Sequence, residues 1–188
     1  AHFSATAERI YATAVLAHVR MATVGAVRVE NTHPFVHGPW SFAHNGTVMA
    51  FPALAQELAE ETGPRLQAHR LGTTDSEQLF YWLLARMERA GLSADSPCTD
   101  LAKLKQVIAS SLTELALRCT RAGAGRPARL NVLLTDSSVL VATRWNQTLR
   151  WVHREGVHDC EICGIPHVRH DPATDYRGMG LFHRATCG

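Results

Sequence analysis

"WSFAHNGTVMAFPALAQELAEETG", Trp40 to Gly63, carries an apolar strand pattern directly into a proline-started helix. Its first half reads as a strand-turn-strand step with Asn45-Gly46 at the turn, a pair favoured where positive φ is needed. Its second half opens with Pro52 at a first helical position and closes on Gly63, which predicts a short amphipathic helix. Upstream, "SATAERIYAT" fits a short helix that Ser4 can cap, and "AVLAHVRMAT" suits a buried strand. Between Thr23 and Trp40 the residues Gly25, Asn31, Pro34, Gly38 and Pro39 interrupt any periodicity and predict a long ordered loop.

Downstream, "TDSEQLFYWLLARMERAG" has capping-box spacing from Thr74 to Glu77, apolar residues at helical intervals and Gly91 as a stop. A further helix is predicted from about Asp100 to Arg121, with Leu104, Ile108, Leu112 and Leu115 on one side. After "AGAGRP" come "ARLNVLLTD", "SVLVATRWN" and "TLRWVHREG", which read as an antiparallel meander. Strands, then helices, then strands again predict an α+β layered domain, taken as one domain over residues 1–188.

The totals exclude several classes. With 188 residues, 46% hydrophobic and 19% charged, the chain can bury one core. The formal charge is +2 and only two residues are lysine, so no basic block marks a nucleic-acid or membrane-surface partner. No apolar stretch approaches the roughly 20 residues of a membrane span, and the opening lacks a secretory pattern, so a cytoplasmic protein is expected. Of five cysteines only Cys160 and Cys163 lie close together, which predicts reduced thiols. The chain opens at Ala1, with no initiator methionine, and reads as a fragment or processed product.

The chemistry-bearing residues fall in islands. In "HNG", Asn45 beside the unshielded amide of Gly46 can aim two donors at one developing negative charge, as an oxyanion hole requires, although Asn-Gly is also an ordinary turn pair. Arg20 in "HVRMATVG" sits at the end of the expected strand and needs an anionic partner, structural or otherwise. Asp75 in "GTTDSE" sits in the first turn of a helix, where a carboxylate is favoured by the dipole. Together they form a set complementary to the amino-acid end of glutamine: Arg20 for a carboxylate, Asp75 for an ammonium, Asn45 and Gly46 for an oxyanion.

In that order, "HVRMATVG", "NTHPF", "SFAHNG" and "TDSE" resemble the class II glutamine amidotransferases, a branch of the N-terminal-nucleophile hydrolases, and most of all their compact γ-glutamyl amide hydrolases. The resemblance implies a four-layer αββα sandwich, here incomplete at its N-terminus. It assigns Arg20 to the substrate α-carboxylate, with Thr23 shaping that pocket, Asp75 to the α-ammonium, and Asn45 and Gly46 to the oxyanion. His44 joins the substrate-binding set and His33 in "NTHPF" is supporting architecture. The family's nucleophile is an N-terminal cysteine whose α-amine serves as base. The first nineteen residues here hold no cysteine, so the chain is expected to lack its first strands and nucleophile and to be inactive alone. Sheet edges left uncovered by that loss leave association with a second copy open.

"DCEICGIPHVRH" places Cys160, Cys163, His167 and His170 within eleven residues as alternative zinc ligands, but the spacer is shorter than in the usual modules, so a structural or redox-sensitive turn is the main reading and no metal or other cofactor is expected. The leading function is hydrolysis of a γ-glutamyl amide, with a small-molecule γ-glutamyl compound as partner. The alternatives are a degenerate γ-glutamyl-binding or subunit-interaction module and a small zinc protein.

Overall fold

The computed structural model describes residues 15–18, 28–153 and 180–181, and its organising element is the strand β2 (Trp40–Thr47). On one side β2 pairs antiparallel with β1 (Phe35–His37), with Phe35 opposite Phe42 and His37 opposite Trp40. On the other it pairs antiparallel with β3 (Arg129–Thr135), with Phe42 opposite Leu134, His44 opposite Val132 and Gly46 opposite Leu130. A further strand, β4 (Leu140–Ala142), follows β3, and among the described residues the sheet has four strands in the order β1-β2-β3-β4.

The chain between β2 and β3 builds the helices α1 (Phe51–Thr62), α2 (Pro64–Gln67), α3 (Asp75–Arg89) and α4 (Leu101–Arg121). Local chemistry sets their ends. Proline opens α1, and Gly63 closes it at φ 79°, a conformation that costs glycine nothing. The Thr74 hydroxyl accepts from Glu77 N at 3.2 Å to cap α3, and the Asp100 carboxylate accepts from Lys103 N at 2.9 Å to cap α4. Helix α3 lies against β2, and α1 and α4 pack against α3. That central position explains why α3 is buried from Asp75 through Ala85, well beyond one amphipathic stripe. Phe42 of β2 stacks on Phe80 of α3 with ring centroids 5.1 Å apart, and Trp40, Trp82, Leu104 and Ile108 complete a fully buried core. Arg86 and Arg118 lie over the Trp82 ring, 5.3 and 5.8 Å from its centroid, and the Trp82 indole donates to Glu61 at 2.8 Å, which joins the three long helices.

Strand alternation gives β2 two distinct faces. Phe42 and His44 meet α3 through Phe80 and Ser76. Ser41, Ala43, Asn45 and Thr47 therefore point to the opposite face of the sheet.

Several expectations are corrected. Asn45-Gly46 does not form a turn: both residues lie inside β2, because β3 pairs with the strand as far as Thr47. The chain turns later, at Met49-Ala50, with Ala50 at φ 55°. The predicted loop before Trp40 contains a 3-10 turn at Val29–Asn31 and the strand β1. Residues Val15–His18 of the predicted buried strand lie outside regular structure, with Val15 62% exposed. In the third run of the predicted meander, Val152–His153 form β5, which pairs with β6 (Gly180–Leu181), in a tail that does not read as a strand from sequence. The chain divides into two compact units, one ending at Asn146 and the other beginning at Gln147. The predicted helix near Ser4 lies outside the described residues.

Candidate active site

The site is built where β2 ends and α3 begins. Asp75, the first residue of α3, is 8% exposed. Its Oδ2 accepts from the backbone N–H of Val48 at 2.8 Å and its Oδ1 accepts from Ser76 N at 2.9 Å. Two backbone donors and the positive end of the helix dipole hold this carboxylate. Val48 follows Gly46 by two residues, so the same hydrogen bond ties Asp75 to the Asn45-Gly46 segment.

His44, 2% exposed, faces the helix layer. Its Nε2 lies 2.9 Å from the Arg129 carbonyl oxygen and its Nδ1 lies 2.9 Å from the Ser76 hydroxyl. A carbonyl can only accept, so Nε2 carries the hydrogen. Burial lowers the His44 pKa, opposed by the Asp75 charge and the Arg129 carbonyl, and favours the neutral ring whose Nδ1 accepts from Ser76. Both ring nitrogens are thus engaged within the protein, which leaves His44 no polar atom for the substrate contact expected from sequence.

Gly46 is required by packing. A Cβ there would lie 1.8 Å from the Arg129 oxygen and 2.7 Å from His44 Nε2. The ladder also fixes the direction of its amide. Leu130 N donates to Trp145 O at 3.1 Å and Val132 O accepts from Thr143 N at 2.9 Å, so these β3 residues turn their backbone groups toward β4. Their partners Gly46 and His44 accordingly direct N–H and C=O away from β3. The Gly46 N–H therefore points to the β1 side of the sheet, beyond the last residue of β2 that β1 pairs with. Asn45, on the face away from the helices, is paired across the ladder with Asn131. Asn131 is 3% exposed, and its Oδ1 accepts from Trp145 N at 2.6 Å.

The segment leading into α3 is fixed by Glu77, whose carboxylate accepts from Leu71 N at 2.9 Å and Gly72 N at 2.8 Å. Thr73 N donates to Asn31 Oδ1 at 2.9 Å. The sequence's capping box is thus half realised: Thr74 caps Glu77, while Glu77 reaches the preceding loop. Cys119 of α4 also feels the Asp75 charge, but burial comes first in pushing its thiol pKa up, against the Met49 backbone, which makes it a poor nucleophile.

Of the residues singled out from sequence, the structure brings Asn45, Gly46, His44 and Asp75 together at this junction. The His33 ring packs against His18 and Phe35, with centroids 4.2 and 4.7 Å away. Arg20, Thr23, Cys160, Cys163, His167 and His170 lie outside the described residues. Sequence reasoning missed Ser76 and Asn131. Ser76 sits inside the quoted "TDSE" island, and Asn131 is an amide within the apolar run "RLNVLL", the signal of a buried polar group that must find partners.

A family model, glutamine amidotransferases class-II, matches residues 3–161. The chain belongs to that family. YafJ of Escherichia coli K12 is 32% identical over 151 residues, covering 77% of this chain and 50% of that protein. The gamma-glutamyl-hercynylcysteine sulfoxide hydrolase of Mycobacterium tuberculosis is 30% identical over 154 residues, covering 81% of this chain and 51% of that enzyme. The chain thus spans about half the length of these curated relatives. A solved glutamine aminotransferase class-II domain protein from Silicibacter pomeroyi aligns with a TM-score of 0.49 and 26% identity, over 68% of this chain and 56% of that one. Among the described residues, no helix is long and apolar enough to cross a membrane.

Proposed function

We propose that this chain binds the γ-glutamyl end of glutamine or of a γ-glutamyl compound and serves the hydrolysis of its side-chain amide. The observation that carries the reading is the Asp75–Val48 bond of 2.8 Å, which couples a buried carboxylate at a helix N-terminus to the strand end bearing Asn45-Gly46. In this reading Asp75 accepts from the substrate ammonium and Arg20 pairs with its carboxylate. The Asn45 side-chain amide and the Gly46 N–H donate to the oxygen of the tetrahedral intermediate. The N–H direction set by the β2–β3 ladder supports that role. No residue of this chain is assigned as the nucleophile. A thiol attacking the amide carbon would expel ammonia or an amine, and water would then release the γ-glutamyl group as acid. The γ-glutamyl substrate in the name of the mycobacterial relative supports the substrate class. A second sheet over the Asn45 face, as in the four-layer αββα sandwich, and a cytoplasmic setting belong to the same reading.

The test is calorimetric titration with glutamine and γ-glutamyl dipeptides of the wild-type chain, Arg20→Ala and Asp75→Asn. Binding weakened at least about 30-fold by Asp75→Asn, the size expected when one partner of a buried charge pair is removed, supports the assignment. A folded protein that binds none of these compounds, or an Asp75→Asn variant that binds as tightly, refutes it.

A further inference from the structure

Asp75 has a third neighbour besides its two backbone donors. The Ser76 hydroxyl lies 3.4 Å from Asp75 Oδ1 and 2.9 Å from His44 Nδ1, and its one hydrogen can serve only one of them. The Arg129 carbonyl decides which. It accepts from Nε2 at 2.9 Å, so a neutral imidazole has its hydrogen there and must present a lone pair at Nδ1. A lone pair at 2.9 Å draws the hydroxyl hydrogen more strongly than a carboxylate oxygen at 3.4 Å, where a hydrogen bond is weak.

We propose that His44 and Ser76 are positioning residues that hold the Ser76 hydroxyl hydrogen away from Asp75, so that Oδ1 stays an open acceptor for a ligand ammonium. The inference rests on the γ-glutamyl reading only for the identity of that ligand. Without the His44 lone pair the hydroxyl turns to Oδ1 and occupies the acceptor position an ammonium needs. The arrangement also explains why a histidine with both ring nitrogens engaged within the protein sits beside the Asn45-Gly46 pair. One ring connects the strand carrying those donors, the β3 backbone at Arg129 and the start of α3.

Two measurements on the full chain test the proposal. The first is the nitrogen chemical shifts of the His44 ring in the 15N-histidine-labelled protein. A neutral ring protonated at Nε2, with an Nδ1 shift that moves in Ser76→Ala, is expected. An Nδ1-protonated or doubly protonated ring at neutral pH overturns the proposal. The second is binding of glutamine and of a γ-glutamyl dipeptide to wild type, His44→Phe and the double variant His44→Phe/Ser76→Ala. His44→Phe should weaken binding by about tenfold, the cost of displacing one hydrogen bond to a charged group. Removing the hydroxyl in the double variant should restore most of that loss, which a merely structural role for His44 would not produce. A double variant no tighter than His44→Phe overturns the proposal. If His44→Phe does not fold, the nitrogen shifts decide alone. If wild type binds no γ-glutamyl compound, that reading fails, while the hydroxyl assignment still stands or falls on the shifts.

Discussion

Replacing Gly46 with alanine tests the packing of the site independently of any ligand. The new methyl carbon would stand 1.8 Å from Arg129 O, 2.6 Å from Arg129 C and 2.7 Å from His44 Nε2. Two of the three obstacles are backbone of the paired strand, so no side-chain rotation relieves them. β2 and β3 must therefore part locally, which also draws the Arg129 carbonyl away from the His44 ring. Overpacking of this kind costs roughly 1–3 kcal/mol, and a lost buried hydrogen bond adds about 1–3 kcal/mol. The expected destabilisation is therefore about 2–6 kcal/mol, a fall in melting temperature of roughly 4–24 °C for a unit of this size. Thermal unfolding followed by circular dichroism, with urea midpoints beside it, reads the effect. Gly125→Ala is the control, because a Cβ there meets nothing within 4 Å. It should move the midpoint by less than about 1 kcal/mol. A Gly46→Ala protein melting within about 2 °C of wild type would refute the close approach of Gly46, His44 and Arg129.

Glu77→Ala removes the acceptor for Leu71 N and Gly72 N and should cost about 2–4 kcal/mol, with faster hydrogen exchange at those two amides; unchanged exchange would show that the loop is held by other contacts. Asp136 makes the stability of the fold depend on pH. Burial alone would raise its pKa, but donors from Cys98, Val139 and Ser138 outweigh burial and hold it below the ordinary carboxylate value. Its contribution is thus present at neutral pH and lost as pH falls through that lowered value. Urea midpoints of wild type and Asp136→Asn should differ at pH 6 and draw together as pH falls below the ordinary carboxylate range, and a gap that stays constant argues against an ionised Asp136 in the fold.

The three long helices, α1, α3 and α4, were legible in the sequence because their signals are local. Pro52, Gly63, Thr74 and Asp100 mark ends through bonds or dihedral angles reaching at most four residues away. Strand identity was less legible where pairing is remote. Asn45-Gly46 has the composition of a turn, and only β3, more than eighty residues later, keeps it in a strand. β1 was hidden because three residues give no period, and its order comes from the β2 edge. For the site, the carboxylate at a helix start and the amide-glycine pair were visible as residue types. Their connection through Val48 N, Ser76 and the Arg129 carbonyl was not, because it depends on strand register and on the docking of α3.

The two faces of β2 divide the consequences of mutation by the parity of residue number. Trp40, Phe42, His44 and Gly46 look toward the helices and are fixed by volume, so a library at these positions samples chiefly misfolded protein. Ser41, Asn45 and Thr47 look the other way and are only half-buried. Varying Asn45 would change the ligand-facing donor proposed here while leaving the Phe42–Phe80 contact intact. A single strand therefore offers an engineer two nearly independent dials, one for how firmly the protein folds and one for what it grips.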